Sequence, residues 1–158
     1  MRYLTLGLLL VFGSLKQLSA QELKQVTQDQ VLAMLNKTPD SSYIVFNVWA
    51  TWCPPCIDEL PYFIKADTTL RGENYTFVFV SLDPERTFKS TARYIKKLGI
   101  PGTHYLMQQD SVAQFLNSVD PNLQGAIPFT VLVSNTGRKT HEGAFNTFKE
   151  LWNFIRFD

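Results

Sequence analysis

The sequence predicts an α/β fold in which a central sheet is covered by helices on both faces. Residues 43–49 and 75–82 form two continuous apolar runs rich in β-branched and aromatic residues, as strands buried on both sides are. Each run is followed by a segment with apolar residues at helical spacing, at 57–70 and 88–98. Strands that alternate with helices in this way indicate a parallel sheet.

The length and composition are those of one domain with a hydrophobic core. The chain has 158 residues, of which 45% are hydrophobic. Residues 1–20 are predicted to be a signal peptide and residues 21–158 the folded domain. The apolar run at 3–15 is shorter than the ~20 residues that span a bilayer as a helix, and Ala20 is the small residue that a cleavage site needs. The alternative is an uncleaved N-terminal anchor.

Charge and motifs exclude several classes of partner and cofactor. Removal of residues 1–20 takes away Arg2 and Lys16 but no acid, so the formal net charge changes from +1 to −1. A near-neutral chain is not expected to bind nucleic acid. His104 and His141 stand alone in the sequence, and no phosphate-binding loop is present. We therefore expect neither a metal nor a cofactor.

The first elements precede the apolar runs. Residues 23–26 are predicted to form a short strand. Thr27 and Gln30 have the spacing of a capping box, with Thr27 as the N-cap and Gln30 at N3. A helix is therefore expected to begin after Thr27, and a turn at 39–42 then leads into the first apolar strand.

The two cysteines of the sequence, Cys53 and Cys56, lie at the junction between the first apolar strand and its helix. With Cys53 at the N-cap, Pro54 and Pro55 occupy positions where a missing N–H costs no helical hydrogen bond. The N–H of Cys56 and the positive end of the helix dipole then favour a Cys53 thiolate. Because the thiolate is the nucleophile in disulfide exchange, Cys53 is predicted to attack and Cys56 to resolve.

Proline and glycine residues mark the helices that follow. Pro61 lacks a backbone N–H and is expected to kink the helix that contains it. Gly72 is expected to mark the end of that helix, and Gly99 the end of the next. The second of these helices is predicted to bury an apolar face of four residues: Phe88, Ala92, Ile95 and Leu98.

The C-terminal third begins with the least regular pattern of the chain. A short strand at 104–106 and a short helix at 111–116 are expected there. Residues 129–133 and 139–144 then predict two strands joined by a hairpin, the second of them an antiparallel edge strand. The apolar face of a last helix comprises Phe148, Leu151, Trp152 and Ile155.

Several of these motifs together resemble a known family. The run Trp-Ala-Thr-Trp-Cys-Pro-Pro-Cys at 49–56, with Glu59 after it and Ile127-Pro128 much later, resembles the thioredoxin superfamily, and within it the TlpA/ResA-like extracytoplasmic thiol–disulfide oxidoreductases. The resemblance covers residues 23–157. It implies a thioredoxin fold, that is, a central mixed β-sheet flanked by helices, with an insertion before a cis-proline loop.

The resemblance also implies a substrate-binding surface beside the cysteines. The Ile127–Pro128 bond is expected to be cis, with Pro128 facing Cys53. The Ile127 backbone would then pair with an extended substrate segment, as in strand addition, and Trp52 and Pro54 would contribute to the same surface. A trans proline that begins a strand is the alternative.

Glu59 is a candidate for proton transfer. In ResA-like proteins a glutamate at this position lies near the cysteines and affects their proton chemistry, and burial would raise its pKa. At the position of Asn47 thioredoxin itself carries a buried acid, whereas an amide cannot titrate. The alternative for Glu59 is an ordinary solvated helix acid, like its neighbour Asp58.

The residues and the resemblance together predict an enzyme that exchanges thiols and disulfides outside the cytoplasm, most simply in the periplasm. Since Pro54 and Pro55 lack N–H groups, a Cys53 thiolate has few donors, which favours a reductant over a strong oxidant. The expected partners are protein substrates with disulfides or cysteines and, by analogy, a membrane electron donor. The alternatives are a disulfide oxidase or isomerase, and a non-catalytic binding module with a structural Cys53–Cys56 disulfide.

Overall fold

The structure is a computed structural model that describes residues 22–37, 39–108 and 111–156. The strands are β1 (Leu23–Thr27), β2 (Tyr43–Trp49), β3 (Tyr75–Ser81), β4 (Thr103–Gln108), β5 (Phe129–Ser134) and β6 (Gly137–Glu142). The helices are α1 (Gln28–Leu35), α2 (Pro54–Thr69), α3 (Phe88–Leu98), α4 (Val112–Val119) and α5 (Phe148–Ile155). A short 3-10 helix, Glu85–Thr87, precedes α3.

The strands of the described residues form one mixed sheet in the order β1-β4-β3-β2-β5-β6. The strands β1, β4, β3 and β2 are paired in parallel, whereas β5 is antiparallel to both β2 and β6. Strand β2 lies between β3 and β5, as its continuous apolar sequence predicts, and residues 45–49 are buried. The carboxyl end of β2 therefore leads from the middle of the sheet into the loop with the cysteines.

Helices cover both faces of the sheet, and each face has its own apolar core. On one face α2, α3 and α5 pack against strand residues such as Val45 and Phe79. On the other face α1 and α4 pack against residues such as Phe46 and Val80. Because side chains alternate along a strand, Asn47 shares the face of Val45 and α2. The mixed sheet with flanking helices confirms the predicted fold class.

Local signals place the helix starts as expected. The Thr27 side chain accepts a hydrogen bond from the Gln30 N–H at 3.3 Å, and the Gln30 side chain accepts from the Thr27 N–H at 2.8 Å, which confirms the capping box. Pro61 lies inside α2, as the sequence indicates. The predicted hairpin at the C-terminal end is the antiparallel pair of β5 and β6.

The predicted apolar face of α3 is wrong at Leu98, which is 37% exposed. The helix ends at Gly99 in the left-handed conformation, with φ of 64°. The chain then turns back, and the Ile100 N–H bonds the Ile95 carbonyl at 3.2 Å. Ile100 is fully buried and belongs to the core beneath α3, whereas Leu98 does not.

The irregular region before the proline loop adds structure to the sheet. It contains β4, which pairs with both β1 and β3, and α4, which begins after its N-cap Ser111. Both are longer than the sequence predicts. The predicted signal peptide lies outside the described residues. Within the described ranges, no helix has the length and apolar character required to cross a membrane.

Candidate active site

Cys53 lies at the start of α2, just after the chain leaves the sheet at the end of β2. It is the N-cap, and Pro54 is the first helical residue. A disulfide joins Cys53 to Cys56, with their Cα atoms 5.3 Å apart. The Cys56 N–H points to the Cys53 sulfur at 3.3 Å. Cys56 is fully buried, whereas Cys53 is 5% exposed, so Cys53 carries the outer sulfur.

The loop that contains Pro128 lies opposite Cys53. The Ile127–Pro128 bond is cis, and the Ile127 carbonyl oxygen is 3.9 Å from the Cys53 sulfur. Pro128 is buried and Ile127 half-buried. Trp52, the residue before Cys53, is 58% exposed. The predicted substrate-binding residues therefore lie on both sides of the outer sulfur, and Pro54 is exposed beside it.

A carboxylate that sequence reasoning did not identify holds this loop. Glu142, at the end of β6, accepts hydrogen bonds from the Ala126 N–H at 2.6 Å and the Gln124 N–H at 2.8 Å. Burial opposes the ionisation of Glu142, but the backbone N–H groups of Ala126, Gln124 and Gly125 outweigh it and hold its pKa below the usual range. The anchor before Pro128 is thus a carboxylate that stays ionised at neutral pH.

The loop before Cys53 is held by a second unpredicted carboxylate, Asp83. Its two oxygens accept from the Thr51 N–H at 3.2 Å each, and it also accepts from the Thr51 hydroxyl at 2.6 Å and the Ser81 hydroxyl at 2.7 Å. Asp83 follows β3, the parallel neighbour of β2. Because the carboxyl ends of parallel strands share one edge of the sheet, a polar residue two positions after β3 was a signal that the sequence offered.

Glu59 is fully buried one helical turn after Cys56. One of its oxygens accepts from the Asn47 amide at 2.8 Å, and the other from the Phe145 N–H at 2.9 Å. Burial raises the pKa of Glu59 from 4.5 to about 7, against the opposing effect of the hydrogen bonds from Phe145 and Asn47. Asp58, by contrast, is exposed. Glu59 is therefore not a solvated helix acid.

The two histidines lie at separate places. His104 is buried, stacks on Phe79 and contacts the Ile100 carbonyl oxygen at 3.0 Å through Nε2. His141 stacks on Phe145 with ring centroids 4.2 Å apart. Burial lowers the pKa of both. In the described part of the chain no group of three or more His, Cys, Asp or Glu side chains is placed to hold a metal.

A mixed sheet with flanking helices, together with a Cys-x-x-Cys disulfide at a helix start opposite a cis-proline, defines the class as thioredoxin-fold proteins. The sequence model of the Redoxin family matches residues 14–150, and the chain belongs to that family. The predicted resemblance to the thioredoxin superfamily is confirmed.

Individual relatives agree with this assignment. Over 64 residues the chain is 34% identical to the thiol-disulfide oxidoreductase ResA of Oceanobacillus iheyensis, a match that covers 39% of this chain and 33% of that protein. The match thus spans about a third of the length of that curated relative.

Solved structures show the same fold. A thiol:disulfide interchange protein of Chlorobium tepidum is 22% identical with a TM-score of 0.58, over 72% of this chain and 77% of that chain. StoA of Bacillus subtilis is 22% identical with a TM-score of 0.54, over 75% of this chain and 86% of that chain. At this level of identity the likeness shows the fold alone.

The buried Glu59 makes the free energy of unfolding depend on pH. Its pKa is raised on folding, so the unfolded chain loses this proton first, and stability is lost as pH rises from 4.5 to about 7. The loss amounts to roughly 3 kcal/mol. Between about pH 4 and pH 8, the free energy of unfolding of wild type should therefore fall by about that much relative to that of Glu59→Gln. Urea unfolding of the oxidised proteins measures both values. Asp58→Asn should behave as wild type does, and parallel curves for wild type and Glu59→Gln would contradict the assignment.

Proposed function

We propose that this protein is a thiol–disulfide oxidoreductase that works outside the cytoplasm and reduces disulfides in other proteins. The observation that carries the proposal is the setting of Cys53. Its sulfur lies at the positive end of α2, is bonded to Cys56 and faces the Ile127 carbonyl at 3.9 Å. A sulfur at a helix N-terminus is stabilised as the thiolate, which is the reactive form.

The proposed reaction moves two electrons to the substrate. In the reduced protein the Cys53 thiolate attacks one sulfur of a substrate disulfide, forms a mixed disulfide and expels the other substrate sulfur as a thiolate. The Cys56 thiolate then attacks the Cys53 sulfur, which releases the second substrate thiolate and closes the Cys53–Cys56 disulfide. Both substrate sulfurs take up protons. The state with the closed disulfide is the one that the structure describes.

Substrate binding is assigned to the residues on the two sides of Cys53. An extended substrate segment would pair with the Ile127 backbone, with Pro128 behind it. Trp52 is a large apolar side chain left 58% exposed next to the reactive sulfur, as a contact for a partner would be. Pro54 is exposed at the same helix start. These positions do not select one particular substrate.

Glu59 is assigned the proton step. Cys56 is buried and must lose its proton before it can attack, and Glu59 lies one turn further along α2. With a pKa of about 7, Glu59 is suited to act as a general base near neutral pH. Its oxygens bond Asn47 and Phe145 and not a cysteine, so the proton would pass through an intervening water.

Two alternative functions remain testable against this one. The same sulfur chemistry run in reverse would make an oxidase or isomerase. A non-catalytic module with a structural disulfide is favoured by one observation, which is that Cys53 and Cys56 are 5% and 0% exposed. Against it, a structural disulfide has no need of a titratable acid buried next to it.

The proposed location follows from residues 1–20, whose pattern is that of a signal peptide. Outside the cytoplasm the closed disulfide must be reduced again, which requires a donor of electrons. By analogy with the TlpA/ResA-like proteins we assign this role to a membrane protein. N-terminal sequencing of the exported protein distinguishes cleavage before Gln21 from retention of an anchor.

Cys53 should be the first sulfur alkylated in the reduced protein, because it is the outer one and begins the helix. Brief iodoacetamide treatment followed by mass spectrometry of the peptides measures this directly. The variants Cys53→Ser and Cys56→Ser serve as matched controls, and only Cys56→Ser should accumulate a mixed disulfide with a substrate protein. Preferential labelling of Cys56 would overturn the assignment of Cys53 as the nucleophile, and equal slow labelling of both would favour the non-catalytic module.

The reduction potential of the Cys53–Cys56 pair should lie well below the value of about −120 mV that characterises the oxidant DsbA. The physical reason is that Pro54 and Pro55 contribute no N–H to the Cys53 thiolate. Equilibration with glutathione redox buffers, followed by gel-shift analysis, gives the potential. A value close to that of DsbA would reverse the proposed direction and leave the oxidase.

Glu59→Gln should slow the resolution of a mixed disulfide by ~100-fold or more at neutral pH, within the range for loss of a general base. The wild-type rate should rise with pH through about 7, where Glu59 ionises, and the variant should lack that rise. Stopped-flow reduction of a model disulfide across pH 5 to 9 measures both. Asp58→Asn, an exposed neighbour on α2, is the control. An identical pH profile for Glu59→Gln would leave solvent as the proton acceptor.

A further inference from the structure

Three polar side chains meet beneath the disulfide in an otherwise apolar core. Asn47 and Thr130 are paired across β2 and β5, and Glu59 reaches them from α2. The Asn47 amide nitrogen donates to a Glu59 oxygen at 2.8 Å and to the Thr130 hydroxyl at 3.3 Å. All three residues are 0% exposed. They form a closed polar group, hereafter the Asn47–Glu59–Thr130 cluster.

One atom of this cluster is unsatisfied. The Asn47 oxygen Oδ1 is buried and has no hydrogen-bond partner among the described residues. Buried amide oxygens are nearly always paired, because an unpaired one loses its hydrogen bonds to water without replacement. The nitrogen of the same amide, in contrast, has both of its protons engaged. The amide nitrogen therefore donates both of its hydrogen bonds, whereas the amide oxygen accepts none.

The arrangement suits only one protonation state of Glu59. An ionised carboxylate accepts hydrogen bonds and donates none, so the N–H groups of Asn47 and Phe145 satisfy it. A protonated Glu59 carries an O–H that needs an acceptor. The Phe145 N–H is fixed by the backbone and is best satisfied by a carbonyl oxygen, which places the proton on the other oxygen, the one that faces Asn47. There it meets an amide nitrogen that can only donate.

Rotation of the amide removes this conflict. A half turn about the last side-chain bond of Asn47 places Oδ1 where the nitrogen was, and a carbonyl oxygen has two lone pairs. One accepts the Glu59 O–H and the other accepts from Thr130, whose hydroxyl can donate as well as accept. Each hydrogen bond of the cluster is then kept with its direction reversed. One polar atom of the amide is left unpaired in either orientation, Oδ1 when Glu59 is ionised and the nitrogen when Glu59 is protonated.

We propose that Asn47 and Thr130 form an amide switch that gives Glu59 a hydrogen-bond partner in both its protonated and its ionised state. The switch lets Glu59 gain or lose a proton in the core without losing a buried hydrogen bond. Asn47 and Thr130 are thus positioning residues for the proton step. The inference rests on the proposed proton role of Glu59, but its test requires no turnover.

The titration of other groups near the cluster must be distinguished from that of Glu59. Cys53 and Cys56 do not titrate while the disulfide is closed. His141 stacks on Phe145, which bonds Glu59, and His104 stacks on Phe79, the register neighbour of Asn47 on β3. Both histidines remain in a Glu59→Gln variant, which isolates the contribution of Glu59.

The test is the orientation of the Asn47 amide in the oxidised protein, measured by NMR at about pH 5 and about pH 9, on either side of the Glu59 pKa of about 7. At the higher pH the Asn47 amide protons should show strong nuclear Overhauser effects to Thr130 side-chain protons. At the lower pH these should weaken several-fold as the nitrogen turns away. The midpoint should coincide with that of the Glu59 carboxyl carbon shift.

Variants and outcomes separate this inference from the proposed function. In Glu59→Gln the orientation of the Asn47 amide should not change with pH, and in Asp58→Asn it should change as in wild type. An amide that keeps its contacts to Thr130 while Glu59 titrates overturns the switch but leaves Glu59 able to act as a base. A carboxyl carbon that does not titrate between about pH 5 and 9 overturns both. A pH-dependent change that persists in Glu59→Gln comes from a histidine and also overturns the switch.

Discussion

The hydrogen bond from the Cys56 N–H to the Cys53 sulfur, at the first turn of α2, is the constraint on which the site depends. It exists because Pro54 and Pro55 leave only this one N–H at the helix start to reach the cap. This donor and the Cys53–Cys56 disulfide fix the outer sulfur from within the first turn of α2, and other contacts hold the chain on both sides of it. Carboxylates that accept several backbone or hydroxyl hydrogen bonds hold those two loops.

Burial of Glu59 is costly, and the contacts show which effect prevails. Two hydrogen bonds, from Asn47 and Phe145, favour the ionised form, and desolvation favours the neutral form. Desolvation wins by enough to bring the pKa to about 7 but not by enough to keep the group neutral at every physiological pH. An apolar side chain of similar size would avoid this cost. A buried acid balanced near neutrality is expected where protons are moved.

Local patterns predicted most of the fold, and tertiary contacts explain what they missed. The capping box at Thr27 and the cap at Cys53 were predictable because each depends on residues three positions apart. The site partners of Glu59 were not, since Phe145 reaches it from 86 residues further along the chain. Leu98 was wrongly predicted to be buried, because helical spacing places it on the apolar face of α3. It lies in the last turn of the helix, where the chain reverses at Gly99 and leaves it exposed. Hydrophobic periodicity identifies the buried face of a helix but does not show where the helix ends.

Two carboxylates near Cys53, Glu142 and Glu59, respond differently to pH, and the difference separates the anchoring of the loop from the proton step. The pKa of Glu142 is held low, so the hydrogen bonds that anchor the loop before Pro128 persist wherever the protein is folded near neutrality. Glu59, in contrast, titrates in that range. A change of pH therefore alters the protons stored beneath the disulfide without loosening the loop that faces it. The geometry of the proposed reaction and its proton supply are thus set by separate groups.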